Sequence, residues 1–269
     1  MRPSDPARSS ATAAAPPPDH RAAIRSLPLP EEGRSSALRT YQDFVVGSRS
    51  LWSLLQYEVL VAWGSPLAGA AGLAFRRLFW RGVFGRVGKG TVWGRNTVLR
   101  HPGKMWIGEG VLVDDDCFFD AKGCAPGEFS LGDGVRVSRG CIVSGKEGGV
   151  RLGPRVNVGT GCTIVSGGGI DIGPYTMLAG NCYVGGGAYD PDAPLDEPMS
   201  ERALPGRPVT IGADCWLGAG VVVISGVSIG TGCVIGAGAV VTRDIPDYSV
   251  AVGAPARVLR MRRHAPDPG

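Results

Sequence analysis

Apolar and polar positions along this chain alternate with a period of six. Seven triplets of aliphatic or aromatic residues recur: Val87/Trp93/Leu99, Ile107/Val113/Phe119, Leu131/Val137/Val143, Leu152/Val158/Ile164, Ile172/Leu178/Val184, Ile211/Leu217/Val223 and Ile229/Ile235/Val241. An α-helix repeats at 3.6 residues and a half-buried strand at two, so neither accounts for this spacing. Three hexads make one triangular turn of a parallel β-helix, each leading residue pointing inward and each turn stacking on the last. Glycine follows most of the first members, as in Ile107-Gly108, Leu152-Gly153 and Ile229-Gly230, where it relieves crowding at a corner. The pattern predicts an all-β solenoid of about seven coils from Gly85 to Val241, roughly 34 Å tall at the spacing of hydrogen-bonded strands.

The cysteines keep the same register. Cys117, Cys141, Cys162, Cys182, Cys215 and Cys233 each stand four residues after a triplet member, a slot otherwise filled by Thr91, Thr97, Val111, Val135, Val156, Thr176, Val221, Val227 and Ala239. A small hydrophobe in a narrow core is the reading this favours. No CxxC is present, and spacing tied to the repeat argues against disulfides or a metal site. Cys124 falls outside the pattern, in a loop. Unpaired thiols and the lack of a secretory apolar segment after Met1 predict a cytoplasmic protein.

The rhythm breaks only between the third member of a triplet and the next first member. The widest break, Val184 to Ile211, spans 27 residues and carries Tyr189, Asp190, Asp192, Asp196, Glu197, Glu201 and Arg202. A long polar excursion from a rigid scaffold is where function concentrates, so 185–208 is the candidate active-site loop.

The chain divides into a disordered Ala/Pro-rich tail over 1–40, a segment over 41–84, the β-helix domain over 85–263, and within it a C-terminal segment over 242–263. From Leu51 to Phe75 the only charge is Glu58, and Arg76, Arg77 and Arg81 follow. Gly64-Ser65-Pro66 breaks this stretch, which argues against a membrane span and predicts two helices, roughly 42–63 and 67–82. They cap the open end of the solenoid, or lie in a membrane interface as a peripheral contact through 42–82; the two roles are compatible. A net charge of +4 over 269 residues is too mild to argue for nucleic acid.

From Arg207 to Arg260 the chain resembles hexapeptide-repeat acyltransferases, among them the galactoside, maltose and serine O-acetyltransferases and those acting on polysaccharides. The carriers are Trp216-Leu217-Gly218-Ala219, Ile235-Gly236-Ala237-Gly238, Asp244-Ile245-Pro246 and Gly253-Ala254-Pro255-Ala256-Arg257. The resemblance implies a left-handed helix, a homotrimer with sites between neighbouring prisms, and acetyl-CoA or a related thioester as co-substrate, with no metal. Position by position, it implies that Trp216, Gly218, Ala219, Gly236 and Ala237 line the pantetheine arm. Arg243, Pro255 and Arg257 would meet the adenine and phosphates, and Asn181, Tyr183 and Tyr189 the acceptor. Corner geometry alone accounts for most of the Gly and Ala positions.

The family's general base is a histidine near the start of the loop. Here that stretch reads Gly185-Gly186-Gly187-Ala188-Tyr189-Asp190-Pro191-Asp192, with Ala188 at the histidine's place. His20 and His264 lie in the terminal tails, and His101 is placed at a corner about four coils away. Three readings stay open: a histidine replaced at Ala188, a carboxylate base at Asp190 or Asp192, or lost catalysis with binding retained. The function classes are accordingly an acyltransferase acting on a hydroxyl or amine of a sugar or small metabolite, and a CoA- or glycan-binding pseudoenzyme. A zinc carbonic anhydrase on this helix needs three histidines, which the body of the chain lacks. An ice-binding solenoid needs a regular exposed threonine array, which is also missing.

Overall fold

A computed structural model describes residues 37–187 and 206–262. Most of the predicted disordered tail therefore lies outside the described residues, as do Ala188, Tyr189, Asp190 and Asp192.

The triplets form the walls of a left-handed parallel β-helix. First members lie on one seven-stranded sheet, here face A, from Arg86–Val87 to Ser228–Ile229; second members on a nine-stranded sheet, face B; third members on a seven-stranded sheet, face C. Registers run coil to coil without a slip: Leu131 pairs Leu152 and Leu152 pairs Ile172 on face A, and Val143 pairs Ile164 and Ile164 pairs Val184 on face C. Apart from half-buried Val87, every triplet residue is buried. The C-terminal segment extends the wall beyond seven coils: Ile245 bridges to Ile229, and Ser249–Val252 joins face B before a hairpin returns as Arg257–Met261.

All seven cysteines are free and buried, including Cys124, whose loop folds inward rather than outward. Each in-register thiol also makes a directed contact. Cys117 Sγ donates to Ser138 O (3.2 Å), Cys141 Sγ to Gly159 O (3.0 Å), Cys162 Sγ to Ala179 O (3.0 Å) and Cys215 Sγ to Gly230 O (3.0 Å), always to a corner carbonyl of the next coil. Thr176 Oγ1 does the same to Gly212 O at 2.7 Å. The slot thus admits a small donor as well as a small apolar side chain, and Thr and Cys use it alike. Burial pushes the Cys124 and Cys215 thiols up to about 11. Thiol labelling of the native protein, read by mass spectrometry, should therefore be slow at every cysteine and complete only after unfolding.

The N-terminal segment differs in detail from two helices. It comprises α1 (Ala37–Tyr41) running into a π-helical turn Gln42–Val46, α2 (Leu51–Tyr57) running into a second, Glu58–Ala62, and α3 (Gly69–Phe79). The first predicted helix is broken at Gly47, whose φ of +78° ends one piece, and Ser50 caps the next by accepting from Ser53 N.

These pieces close the open end of the first coil through its exposed carbonyls. Tyr57 Oη donates to Leu99 O (2.7 Å), Ser65 Oγ to Thr97 O (2.6 Å) and Arg76 Nε to Trp93 O (2.9 Å). Trp80 and Phe84 pack on Trp93, which meets Phe119 edge-on. His101 is a corner residue, as expected. Its Nε2 lies 3.0 Å from Asp43 O as part of the cap contact, and burial holds its pKa below the ordinary imidazole value.

Candidate functional site

The breaks in the hexad rhythm all fall at the C-to-A corner, so the excursions line up along one edge of the prism. The long loop departs there after Gly187 and re-enters at Gly206. Its roots are firmly built. Gly185 has φ +103°, and a Cβ on it would collide with the Val165 carbonyl oxygen, so no other residue fits that exit. On the return, Arg207 N donates to Ser225 Oγ (2.9 Å), and Ser225 Oγ donates to Arg207 O (3.0 Å). Tyr183 stands on face C between Thr163 and Val222, and its hydroxyl lies over Gly186 at the loop root.

The residues implied for a thioester gather elsewhere, along face B and the B-to-C edge. Trp216 projects from face B, 44% exposed, between Met177 on the coil before and Val234 on the coil after. Gly218 follows at the edge, with Gly218 N donating to Ile235 O (2.8 Å) and Gly238 N to Ala219 O (2.8 Å), so Gly218-Ala219 and Gly236-Ala237 stack directly. A Cβ on Gly218 would stand 2.6 Å from Ala237 N, which keeps this ledge free of side chains. Asn181 belongs to the same edge: its neighbour Gly180 accepts from Gly220 N at 2.9 Å. The hairpin beyond Val252 ends the ledge, with Val240 N donating to Gly253 O and Ala256 N to Val240 O; Pro255 and Arg257 are exposed there.

Two of the expected groupings are not made within one chain. Arg243 sits at the C-to-A corner, next to Asp244 whose Oδ1 accepts from Ser228 N, and not on the ledge. The loop root is also one whole face away from Trp216, because face C separates the two edges. A groove runs along face A, past Arg86, Trp106, Arg151 and Asp171, and touches neither group. Among the described residues no cluster of His, Cys, Asp and Glu could hold a metal.

Sequence reasoning named Trp216 and Tyr183 but overlooked the outward apolar set to which they belong. Leu112, Met177 and Trp216 on face B, and Val98, Ile142 and Tyr183 on face C, are each more than a third exposed. Face A instead presents Arg86, Ser130, Arg151, Asp171, Thr210 and Ser228 at the equivalent outward positions, with Trp106 as the exception. The signal was present: on each strand the residue before the triplet member points outward, and its polarity differs between faces.

Residues 208–243 match the model of the hexapeptide repeat of succinyl-transferase. A probable acetyltransferase of Mycobacterium tuberculosis is 37% identical over 139 residues, covering 51% of this chain and 45% of that protein. A putative acetyltransferase of Staphylococcus aureus is 44% identical over 112 residues, covering 41% and 54%. The chain thus spans about half the length of the curated relatives it matches. Among solved structures, a variant of an N-acyltransferase from Bacillus cereus, in complex with dTDP and coenzyme A, superposes with a TM-score of 0.50 at 19% identity, over 68% of this chain and 88% of that one. That likeness is one of fold. By its repeat and by its named relatives, the chain resembles the hexapeptide-repeat acyltransferases.

Proposed function

We propose that this protein is an acyltransferase that moves an acyl group from acetyl-CoA or a related thioester to a hydroxyl or amine of a sugar or small metabolite. The ledge at the B-to-C edge carries the reading. Trp216 offers an exposed ring beside a strip of backbone kept bare at Gly218-Ala219 and Gly236-Ala237, and the strip leads to Pro255 and Arg257. A thin apolar arm can lie against such a strip, and a guanidinium suits phosphate at its end. In the reaction, the acceptor oxygen or nitrogen attacks the thioester carbonyl, a base takes its proton, and the CoA sulfur leaves with the bonding pair.

The separation of ledge and loop within one chain supports a trimer. A neighbouring prism packed against the apolar outward residues of faces B and C would bring its own loop edge towards this ledge and complete a site between subunits. Arg243, at the loop edge, would then serve the neighbour's ligand. Seven free thiols fit a reducing compartment such as the cytoplasm.

Acyl transfer is tested by following CoA release from acetyl-CoA in the presence of a panel of sugars and amines. Trp216→Ala should weaken CoA binding about tenfold in calorimetry, as loss of an aromatic anchor does, without disturbing the fold. A second reading, a CoA- or glycan-binding pseudoenzyme, is favoured by Ala188. It predicts the same binding with no CoA release from any acceptor.

A further inference from the structure

The cap carries a feature that closing the first coil does not use. On α2 and the turn after it, Tyr57 and Val61 face the prism, and the opposite side is apolar and bare. Trp52 is 71% and Trp63 78% exposed, with Leu51, Leu55 and Val59 along the same side. The ridge continues onto α3. The two helical pieces run antiparallel: Trp80 Nε1 donates to Leu60 O, Gln56 Nε2 to Gly82 O (3.0 Å), and Phe75 packs on Gly64. Leu78 and Phe79 on α3 are exposed as well. Contiguous apolar exposure of this kind marks an interaction surface.

Its charge setting indicates the partner. From Ala37 to Gly85 the only carboxylates are Asp43 and Glu58. Asp43 is paired with Arg49 at 2.9 Å, and Glu58 accepts from Tyr41 Oη at 2.6 Å. Arg77 and Arg81 are exposed on the α3 side. The cap that carries the ridge thus adds exposed cations, and both of its carboxylates are paired. A symmetric contact with a second copy would set these arginines against one another. A surface of anionic headgroups complements them, with Trp and Leu entering the headgroup–acyl boundary. No described helix is long and apolar enough to cross a membrane.

We propose that the ridge of Leu51, Trp52, Leu55, Val59 and Trp63, flanked by Arg77 and Arg81, docks this protein onto an anionic lipid surface. The prism then stands on its N-terminal end, with the late coils pointing away from the lipid. Docking needs no catalysis, so it stands or falls apart from acyl transfer.

Co-sedimentation of the full chain with phosphatidylcholine vesicles, with and without phosphatidylglycerol, tests this. Binding should require the anionic lipid and shift tryptophan emission to shorter wavelength. Arg77→Gln with Arg81→Gln should weaken it about 30-fold, at about 1 kcal/mol per arginine. Trp52→Ser with Trp63→Ser should weaken it about tenfold or more. These side chains are exposed, so the unfolding midpoint should hold, and circular dichroism checks that it does. The proposal is overturned if the unaltered chain stays in solution with both vesicle types, or if both double variants bind as well as it does. It is equally overturned if the tryptophan variant changes the sedimentation coefficient and not vesicle binding, which would mean that the ridge is covered by another copy.

Discussion

Replacing Ala188 by histidine is expected to raise turnover by about 10²–10⁴-fold, the usual worth of a positioned general base. The position follows Gly187, the last described residue of the fifth coil, whose strand ends at the loop edge. CoA affinity should change little, because the arm and phosphate contacts rest on the ledge residues, which this substitution leaves in place. The pH profile supplies a second readout. A histidine base works only when neutral, so activity should fall as pH drops below about 6.5. If the unaltered protein is fully active instead, and Asp190→Asn abolishes turnover without weakening CoA binding, the carboxylate is the base. Its ordinary pKa lies near 4, so work at neutral pH asks for partial burial to raise its basicity. If neither Ala188→His nor Asp190→Asn changes the rate, the chemistry does not sit at the loop start.

Arg76→Leu should cost about 2–4 kcal/mol at the N-terminal end of the solenoid. Arg76 is buried, and its guanidinium donates to four carbonyls: Trp93 (2.9 Å), Gly64 (3.2 Å), Ser65 (3.2 Å) and Leu67 (2.7 Å). Burial pulls its pKa below the ordinary value, with Asp115 acting the other way. Leucine fills part of the volume but removes the guanidinium donor from these carbonyls in a largely buried site, with Ser65 O keeping its bond from Asn96 N (2.9 Å). Stability in a stacked array is shared mainly between neighbours, so the loss should appear as faster amide exchange in coil one and the cap, with coils five to seven little affected. Arg77→Leu, one residue on but exposed, should stay within about 0.5 kcal/mol of the parent.

The walls of this protein could be read from sequence because each depends on one rule repeated. A residue such as Ile164 is buried by the same geometry as Val143 below it and Val184 above it, so seven weak signals reinforce one another. The cap was readable only in outline. Its helices are short, and the break at Gly47 depends on where the His101 ring lands, a contact between residues far apart in sequence. The candidate site was legible as a set of residues but not as a place. Gly218 and Gly236 stack because they share a phase of the repeat, with Trp216 two residues before Gly218 on the same coil, whereas Arg243 carries a different phase and turns to another edge. Hexad phase therefore held the answer, and family resemblance alone grouped Arg243 with the ledge.

Two edges of the prism are stitched coil to coil by Thr and Cys donors, with Cys141 reaching Gly159 on one and Thr176 reaching Gly212 on the other. The third edge carries every insertion. Length can therefore vary at that edge without shifting any inward residue, while one added residue at either stitched edge would put the rest of its coil out of phase. The scaffold behaves as a bound book, with a sewn spine and an open margin: new loops can be written into the margin while the pages stay in order.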